Sequence, residues 1–230
     1  MTISIIIPTY NNAANIGLLV QDLLAERSPH ICDLIVVDGG STDQTLTIAQ
    51  SMGARALQSP IKGRSAQMNY GAALAQGDIF LFLHPEIRIH PTYAREIMLA
   101  IKEQHDMGCF RFKYKTNRIF PRLGAFLSRF SALYSNAGRQ TLFIKRPVFE
   151  QLNGYNGETK IMEDFELLRR GKQYFKFIVL PTAVIASTKK YDAKNYLRVQ
   201  AANIIVLCLY RMGYSQEKII AMYKRIVHVK

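Results

Sequence analysis

Cysteine is scarce in this 230-residue chain. Cys32, Cys109 and Cys208 are odd in number, widely spaced and without a Cys-x-x-Cys pair. That argues against a disulfide framework and a structural zinc site, and for a reducing compartment. Long hydrophobic runs are also missing. The longest apolar stretch near the end, 201–210, is interrupted by Asn203 and is too short to span a bilayer. The start, Met1-Thr2-Ile3-Ser4-Ile5, has no basic leader, so no signal peptide is expected. Internal repeats and low-complexity tracts are absent. Acidic residues are short in one half of the chain. Between Asp106 and Glu150 there are nine Lys and Arg and no acid, and residues 169–230 set thirteen basic residues against Asp192 and Glu217 alone. Of the net charge of +13, therefore, little falls on the first 168 residues, where 17 basic and 15 acidic side chains nearly balance. Such a field favours an anionic partner: nucleotide phosphate, nucleic acid or an acidic membrane surface. No nucleic-acid motif is visible, so nucleic acid is not expected.

What is present is ordinary for a globular protein, with 49% hydrophobic and 20% charged residues. A chain of this length buries roughly 70% of its unfolded surface and needs no covalent staples. Its organising stretch is Ile79-Phe80-Leu81-Phe82-Leu83-His84-Pro85-Glu86. Five apolar residues in a row fit a strand buried on both faces, as in a parallel sheet covered by helices. Pro85 ends the strand. His84 and Glu86 are two apart, so an extended chain would point them to one side. Ile3 to Ile7 reads as a first strand, closed by Pro8-Thr9-Tyr10-Asn11-Asn12. An amphipathic helix follows from Ile16 to Leu24, with Asn15 as its N-cap. Leu34 to Val37 is a second strand, ending in Asp38-Gly39-Gly40-Ser41-Thr42-Asp43, with Ser41 capping a helix around Gln44 to Met52. Asp38 is read two ways, as a capping Asp-Gly turn or as an acceptor for a base or ribose. A short strand, Arg55 to Leu57, leads through Lys62-Gly63-Arg64-Ser65 into a third helix, whose basic entrance suits an anion. Strand, polar loop and helix in repetition make an α/β sheet.

Taken in order, Ile5 to Asn11, Ile35 to Asp43, Arg64 to Gly71 and Ala75 to Leu83 resemble the nucleotide-binding half of a family 2 glycosyltransferase of the GT-A fold. Phe143 to Glu150, Gly154-Tyr155, and Met162-Glu163-Asp164-Phe165-Glu166-Leu167 with Arg169-Arg170 are similar to its acceptor half. Within the family, the chain looks closest to short bacterial enzymes of the arsenosugar type. The resemblance implies a mostly parallel, Rossmann-like central sheet flanked by helices over residues 1–190. Residues 1–90 are its nucleotide-binding half, residues 91–190 its acceptor half, and residues 191–230 a C-terminal extension of basic amphipathic helices. It implies transfer, with inversion, of a sugar from a UDP- or GDP-type donor to a hydroxyl acceptor in the cytoplasm.

The same resemblance implies the roles. Asp164 matches the catalytic carboxylate and would be the general base. Pro8, Thr9, Tyr10, Asp38, Arg64 and Asn69 would hold the donor, and Lys189 and Lys190 would reach phosphate. The metal motif, Asp-x-Asp in the family and His-Ala-Asp in the close subset, falls on His84 and Glu86, which would hold Mn²⁺ or Mg²⁺. Arg139, Gln140 and Glu163 lie on the acceptor side. Arg139 stands where the subset has an acid, which points to an anionic acceptor. The departures at Pro85 and Glu86 leave a second reading, a non-catalytic nucleotide- or anionic-polymer-binding protein with a degenerate metal motif. Finally, helices over Tyr196 to Met212 and Gln216 to Val229, broken at Gly213 with Ser215 as N-cap, carry an apolar face edged with basic residues. That face can lie on an anionic membrane, making the protein peripheral at its inner side, or pack on the catalytic domain.

Overall fold

Each apolar run that can be buried on both sides becomes a strand of one sheet. The computed structural model describes residues 1–25, 28–114, 141–186 and 193–227. In chain order its strands are β1 (Ile3–Thr9), β2 (Ile31–Asp38), β3 (Arg55–Gln58), β4 (Ile79–Leu83), β5 (Ile87–Arg88), β6 (Met107–Tyr114), β7 (Thr141–Lys145) and β8 (Phe177–Ala186). The helices are α1 (Ala13–Ala25), α2 (Thr45–Ser51), α3 (Arg64–Leu74), α4 (Tyr93–Lys102), α5 (Arg146–Gln151), α6 (Glu163–Gly171), α7 (Ala193–Arg211) and α8 (Gln216–Val227). The strands lie in the order β3-β2-β1-β4-β7-β6-β8-β5. The first four are parallel. β7 runs against both β4 and β6, β6 and β8 are parallel, and β5 is an antiparallel edge.

Alternation along the strands feeds two cores. Ile3, Ile5 and Ile7 of β1 and Ile79, Leu81 and Leu83 of β4 pack with α1 and α4 on one face. Ile6, Phe80 and Phe82 pack on the other with Met68 of α3, Phe149 of α5 and Leu167 of α6. The close seat of α3 depends on Gly71, where a Cβ would meet Ile6 Cγ2 at 2.5 Å. Pro8 is tolerated inside β1 because pairing with β4 has already stopped at Ile6. The sheet reverses direction of growth at β1, with β2 on one side and β4 on the other. Open α/β folds bind ligands at the carboxyl ends of such strands.

Three local expectations need correction. Asn15 is not an N-cap. The helix begins at Ala13, because Thr45 Oγ1 and Asp43 Oδ2 accept the amides of Asn12 and Ala13 at 2.7 and 3.2 Å. Ser41 does not cap α2, which starts four residues later. Its hydroxyl accepts from the Asn11 amide at 2.8 Å and donates to Asp38, tying two loops together. His84 and Glu86 do not lie on an extended segment. An Ile87 amide to His84 carbonyl bond of 3.2 Å closes a turn there, so strand alternation does not set their directions.

The C-terminal hairpin of α7 and α8 packs on the start of α6. Met162, Val206, Leu207 and Ile219 form a third buried cluster, joined by Phe165 and Tyr210. Ile219, at the centre of the apolar face expected for the last helix, is fully buried. No helix among the described residues is long and apolar enough to cross a membrane.

The far end of the mixed half is pinned by Asp106. Its carboxylate accepts from Lys145 Nζ at 2.8 Å and the Lys176 amide at 3.0 Å, joining the ends of β6, β7 and β8. Burial pushes this carboxyl up, but the Lys145 and Lys176 groups outweigh it and hold it below its usual 3.8. A depressed carboxyl stabilises the fold above its unfolded pKa and loses that contribution as pH falls through the folded one. Asp106→Asn is expected to cost about 1–2 kcal/mol at neutral pH. Urea midpoints measured from pH 7 down to about 3 should show the gap between variant and parent closing below about pH 4.

Candidate active site

The carboxyl ends of β1, β2 and β4 meet at one edge of the sheet, and α6 delivers its first turn to the same place. The β1 end is fixed by Gln67, whose buried amide donates to the Thr9 and Val37 carbonyls, each at 2.7 Å. Thr9 is buried, with its hydroxyl lacking a hydrogen-bond partner among the described residues. Tyr10 beside it is 58% exposed. Asp38, at the β2 end, accepts from the amides of Gly40 and Ser41 at 2.9 and 2.8 Å and from the Ser41 hydroxyl. It therefore shapes its own loop, as the capping reading expects. An ionised carboxylate has about four acceptor sites, so one remains for a ligand.

Helix α6 opens with Glu163, Asp164 and Glu166, all buried. The helix N-terminus favours anions there. The structure sorts the three by partner. Glu166 is held by Arg170 Nε and Nη2 at 2.6 and 2.8 Å. The same arginine reaches the Leu152 and Gly154 carbonyls, so this pair fastens the turn after α5. Glu163 is held by Arg64 Nη1 at 2.6 Å. Asp164 accepts from the buried Tyr155 hydroxyl at 3.0 Å, and its other oxygen lies 3.7 Å from His84 Nε2. Of the three, Asp164 is the one turned to the end of β4.

Arg64 stands at the mouth of this cluster with its side chain half exposed. Desolvation works against its charge, but Glu163 first, then Asp164 and Glu86, outweigh it and hold its proton more firmly than usual. Glu86 thus acts on the same basic group as the two carboxylates of α6. Guanidinium has five donors, and among the described residues one of them is engaged, with Glu163, so others can meet a phosphate.

Among the site residues expected from the sequence, Thr9, Asp38, Arg64, His84, Glu86, Glu163 and Asp164 gather at this edge. Asn69 has a different place. Its amide donates to the Tyr155 carbonyl at 2.8 Å and its oxygen accepts from the Tyr155 amide at 2.9 Å, so it clamps α3 to the Gly154-Tyr155 turn. One donor and one acceptor of its carboxamide are engaged there, which gives Asn69 a structural task beside the donor-binding role expected of it. Arg139, Gln140, Lys189 and Lys190 lie outside the described residues. Tyr155 was not expected as a site residue. Its partner is nine residues away across a loop, and the only sequence signal is an aromatic after a glycine in a segment ending near the acids. Met162, just before Glu163, holds a left-handed backbone with φ 71° and ψ 22°, uncommon for a residue with a side chain.

A family model, glycosyl transferase family 2, matches residues 4–154. The chain belongs to this family. A PGL/p-HBAD biosynthesis glycosyltransferase of Mycobacterium bovis is 30% identical over 173 residues, which are 71% of this chain and 66% of that protein. A glucosyl-3-phosphoglycerate synthase of Petrotoga mobilis is 26% identical over 160 residues, 64% of this chain and 46% of that one. The family 2 chain thus spans just under two thirds of the first relative and less than half of the second. Among solved structures, Mycobacterium tuberculosis glucosyl-3-phosphoglycerate synthase, bound to Mn²⁺, UDP and glucosyl-3-phosphoglycerate, superposes with a TM-score of 0.65 at 20% identity, over 93% of this chain and 80% of that one. Staphylococcus aureus TarS 1–349 in complex with UDP-GlcNAc gives 0.67 at 19% identity, over 98% and 71%. These likenesses establish the GT-A fold.

Among the described residues, no group of three or more His, Cys, Asp or Glu side chains is gathered to hold a metal ion. His84 and Glu86 make at most two ligands from one turn. That fits a hard cation bound by one or two protein groups and completed by substrate phosphate and water. It does not fit a metal held by the protein alone.

Tyr155 sits between strand and acid, its ring 5.1 Å from Phe82 and its hydroxyl on Asp164. Burial, then the Asp164 charge, push its pKa well above the usual 10.0, so the phenol remains a donor throughout the neutral range. A raised pKa means this contribution is complete below about pH 10 and is lost only above it. Tyr155→Phe keeps the packing and removes the donor. Its expected cost is about 1.5–3 kcal/mol, as for hydrogen bonds to charged groups, and constant between about pH 6 and 9 in denaturant titrations.

Proposed function

We propose that the protein transfers a sugar, with inversion, from a nucleoside-diphosphate-sugar of the UDP or GDP type to a hydroxyl acceptor, with Asp164 as general base. The observation that carries this is the sorting of the three acids. Glu163 and Glu166 are each bonded to an arginine, whereas Asp164 accepts from the Tyr155 phenol and lies 3.7 Å from His84 at the β4 end, where a donor would lie. A base held this way takes the acceptor hydroxyl proton as the oxygen attacks the anomeric carbon, and the sugar–diphosphate bond breaks with its electron pair leaving on phosphate. Arg64, kept charged by its carboxylate neighbours, offers its remaining N–H groups to that phosphate. Asp38 and the buried Thr9 hydroxyl supply acceptor and donor capacity at the nucleoside end, with Tyr10 exposed as an apolar wall beside Pro8. His84 and Glu86 would hold Mn²⁺ or Mg²⁺, which offsets charge on the leaving diphosphate when bound.

Nucleotide binding separates this from the non-catalytic reading. A thermal-shift screen of UDP, GDP and their sugars should show stabilisation that grows with Mn²⁺. A ligand at a hundred times its Kd adds about 2.7 kcal/mol. Asp164→Asn should abolish transfer and leave that shift intact. Retained transfer would refute the base assignment, and a shift indifferent to Mn²⁺ with no donor turnover would favour the binding module.

The acceptor is proposed to be an anionic hydroxyl compound. The acid-free stretch between Asp106 and Glu150, with Arg139 within it, supports this, as does the phosphoglycerate in the name of the Petrotoga relative. Arg139→Asp should shift preference away from phosphorylated acceptors in a competition panel. An unchanged order across the panel would remove Arg139 from acceptor choice.

A further inference from the structure

The acids of α6 are presented by a short turn, 159–162, that ends in the left-handed Met162. Its local bonds among the described residues include the Thr159 amide to the Asn156 carbonyl at 3.1 Å, the Thr159 carbonyl accepting from Ser65 Oγ at 3.1 Å and the Glu166 amide to the Met162 carbonyl at 2.9 Å. The amides of Lys160 and Ile161 instead donate to one atom from far along the chain, Gln216 Oε1, each at 3.2 Å. Gln216 is the first residue of α8. The Met162 side chain is buried against Val206 and Leu207 of α7 and Ile219 of α8. Phe165, one residue past Asp164, packs edge-on to Tyr210 at 5.8 Å, and Arg169 lies over the same ring at 5.8 Å. Lys160 also lies close enough to Glu217 to help hold that carboxyl below its usual value, after its own helix-start bonds and Ser215.

A strained residue persists only where its surroundings over-determine it. Here those surroundings include the C-terminal hairpin. We propose that the hairpin is a positioning element of the active site, and that Gln216 is a positioning residue that holds the 160–162 turn and so sets where Glu163 and Asp164 stand. The inference rests on Asp164 being the base for its catalytic meaning, while the tether itself can be tested without that reading. It gives the basic C-terminal helices a role inside the enzyme that neither composition nor family membership supplies.

Two variants separate the acceptor atom from bulk. Gln216→Met keeps length and helix propensity and removes the acceptor. Gln216→Glu keeps an oxygen in reach and suits a helix first turn. In the full chain, hydrogen exchange of the Lys160 and Ile161 amides should speed up about tenfold or more in Gln216→Met, with parental rates in Gln216→Glu and unchanged protection across β1 to β4. Hydrolysis of UDP-glucose with Mn²⁺, followed by UDP release, should fall about tenfold or more in Gln216→Met with little change in KM, and recover in Gln216→Glu, since small misplacements of a reacting group are costly. Unchanged exchange in Gln216→Met, or equal loss in both variants, overturns the tether. Faster exchange with parental hydrolysis overturns its positioning role. If Asp164→Asn keeps hydrolysis, the base reading fails, and the exchange result still decides the tether.

Discussion

Three carboxylates buried within four residues form the constraint on which this site depends. Taken from water without partners, each would cost several kcal/mol, and together they would repel one another. A helix N-terminus offsets only part of this, typically 0.3–1 kcal/mol per charge. The rest must come from elsewhere in the fold. Arg64 comes from α3 in the first third of the chain, Tyr155 from the turn after α5, and Arg170 from the far end of α6 itself. Stabilising the acids therefore draws the two halves of the chain together. The clamp of Asn69 on Tyr155 serves the same end, because it fixes the residue that fixes Asp164.

That dependence explains what could be read from the sequence. β1, β2 and β4 are legible because a run of β-branched and aromatic residues has few other places to go. The location of the site follows, since strand ends are visible as polar breaks. The division of labour at the site is not legible. Glu163, Asp164 and Glu166 look alike as a helix opening, and only distant partners distinguish them, 99 residues away for Glu163. The structural task of Asn69 is equally hidden, since the resemblance implies only a donor-binding role for it. On α3 the five residues from Arg64 carry its side chain well over a turn, toward the Tyr155 backbone. Asn15 failed as a cap because loop residues from another strand took over that task. Gln67, buried and bonded to two strand ends, gives no signal beyond being polar on a helix.

The turn at His84-Pro85-Glu86 shows how one substitution can answer two demands. In the family pattern an acid occupies the first position of this motif. Here that position lies 3.7 Å from Asp164 through His84 Nε2. A carboxylate near that point would face a second buried carboxylate, a repulsion of about 4 kcal/mol at an effective dielectric of 20. It would need a resident cation, or a proton on one of the two acids, to be tolerable. Imidazole imposes neither requirement. Whether neutral or charged, it does not repel Asp164, and it can still lend a nitrogen to a cation that arrives with the substrate diphosphate. Glu86, the proposed oxygen ligand, adds to the negative charge that steadies the Arg64 guanidinium. On this view the unorthodox motif is matched to its neighbours. The acid is placed within the field of Arg64, and the histidine where a second acid would repel Asp164.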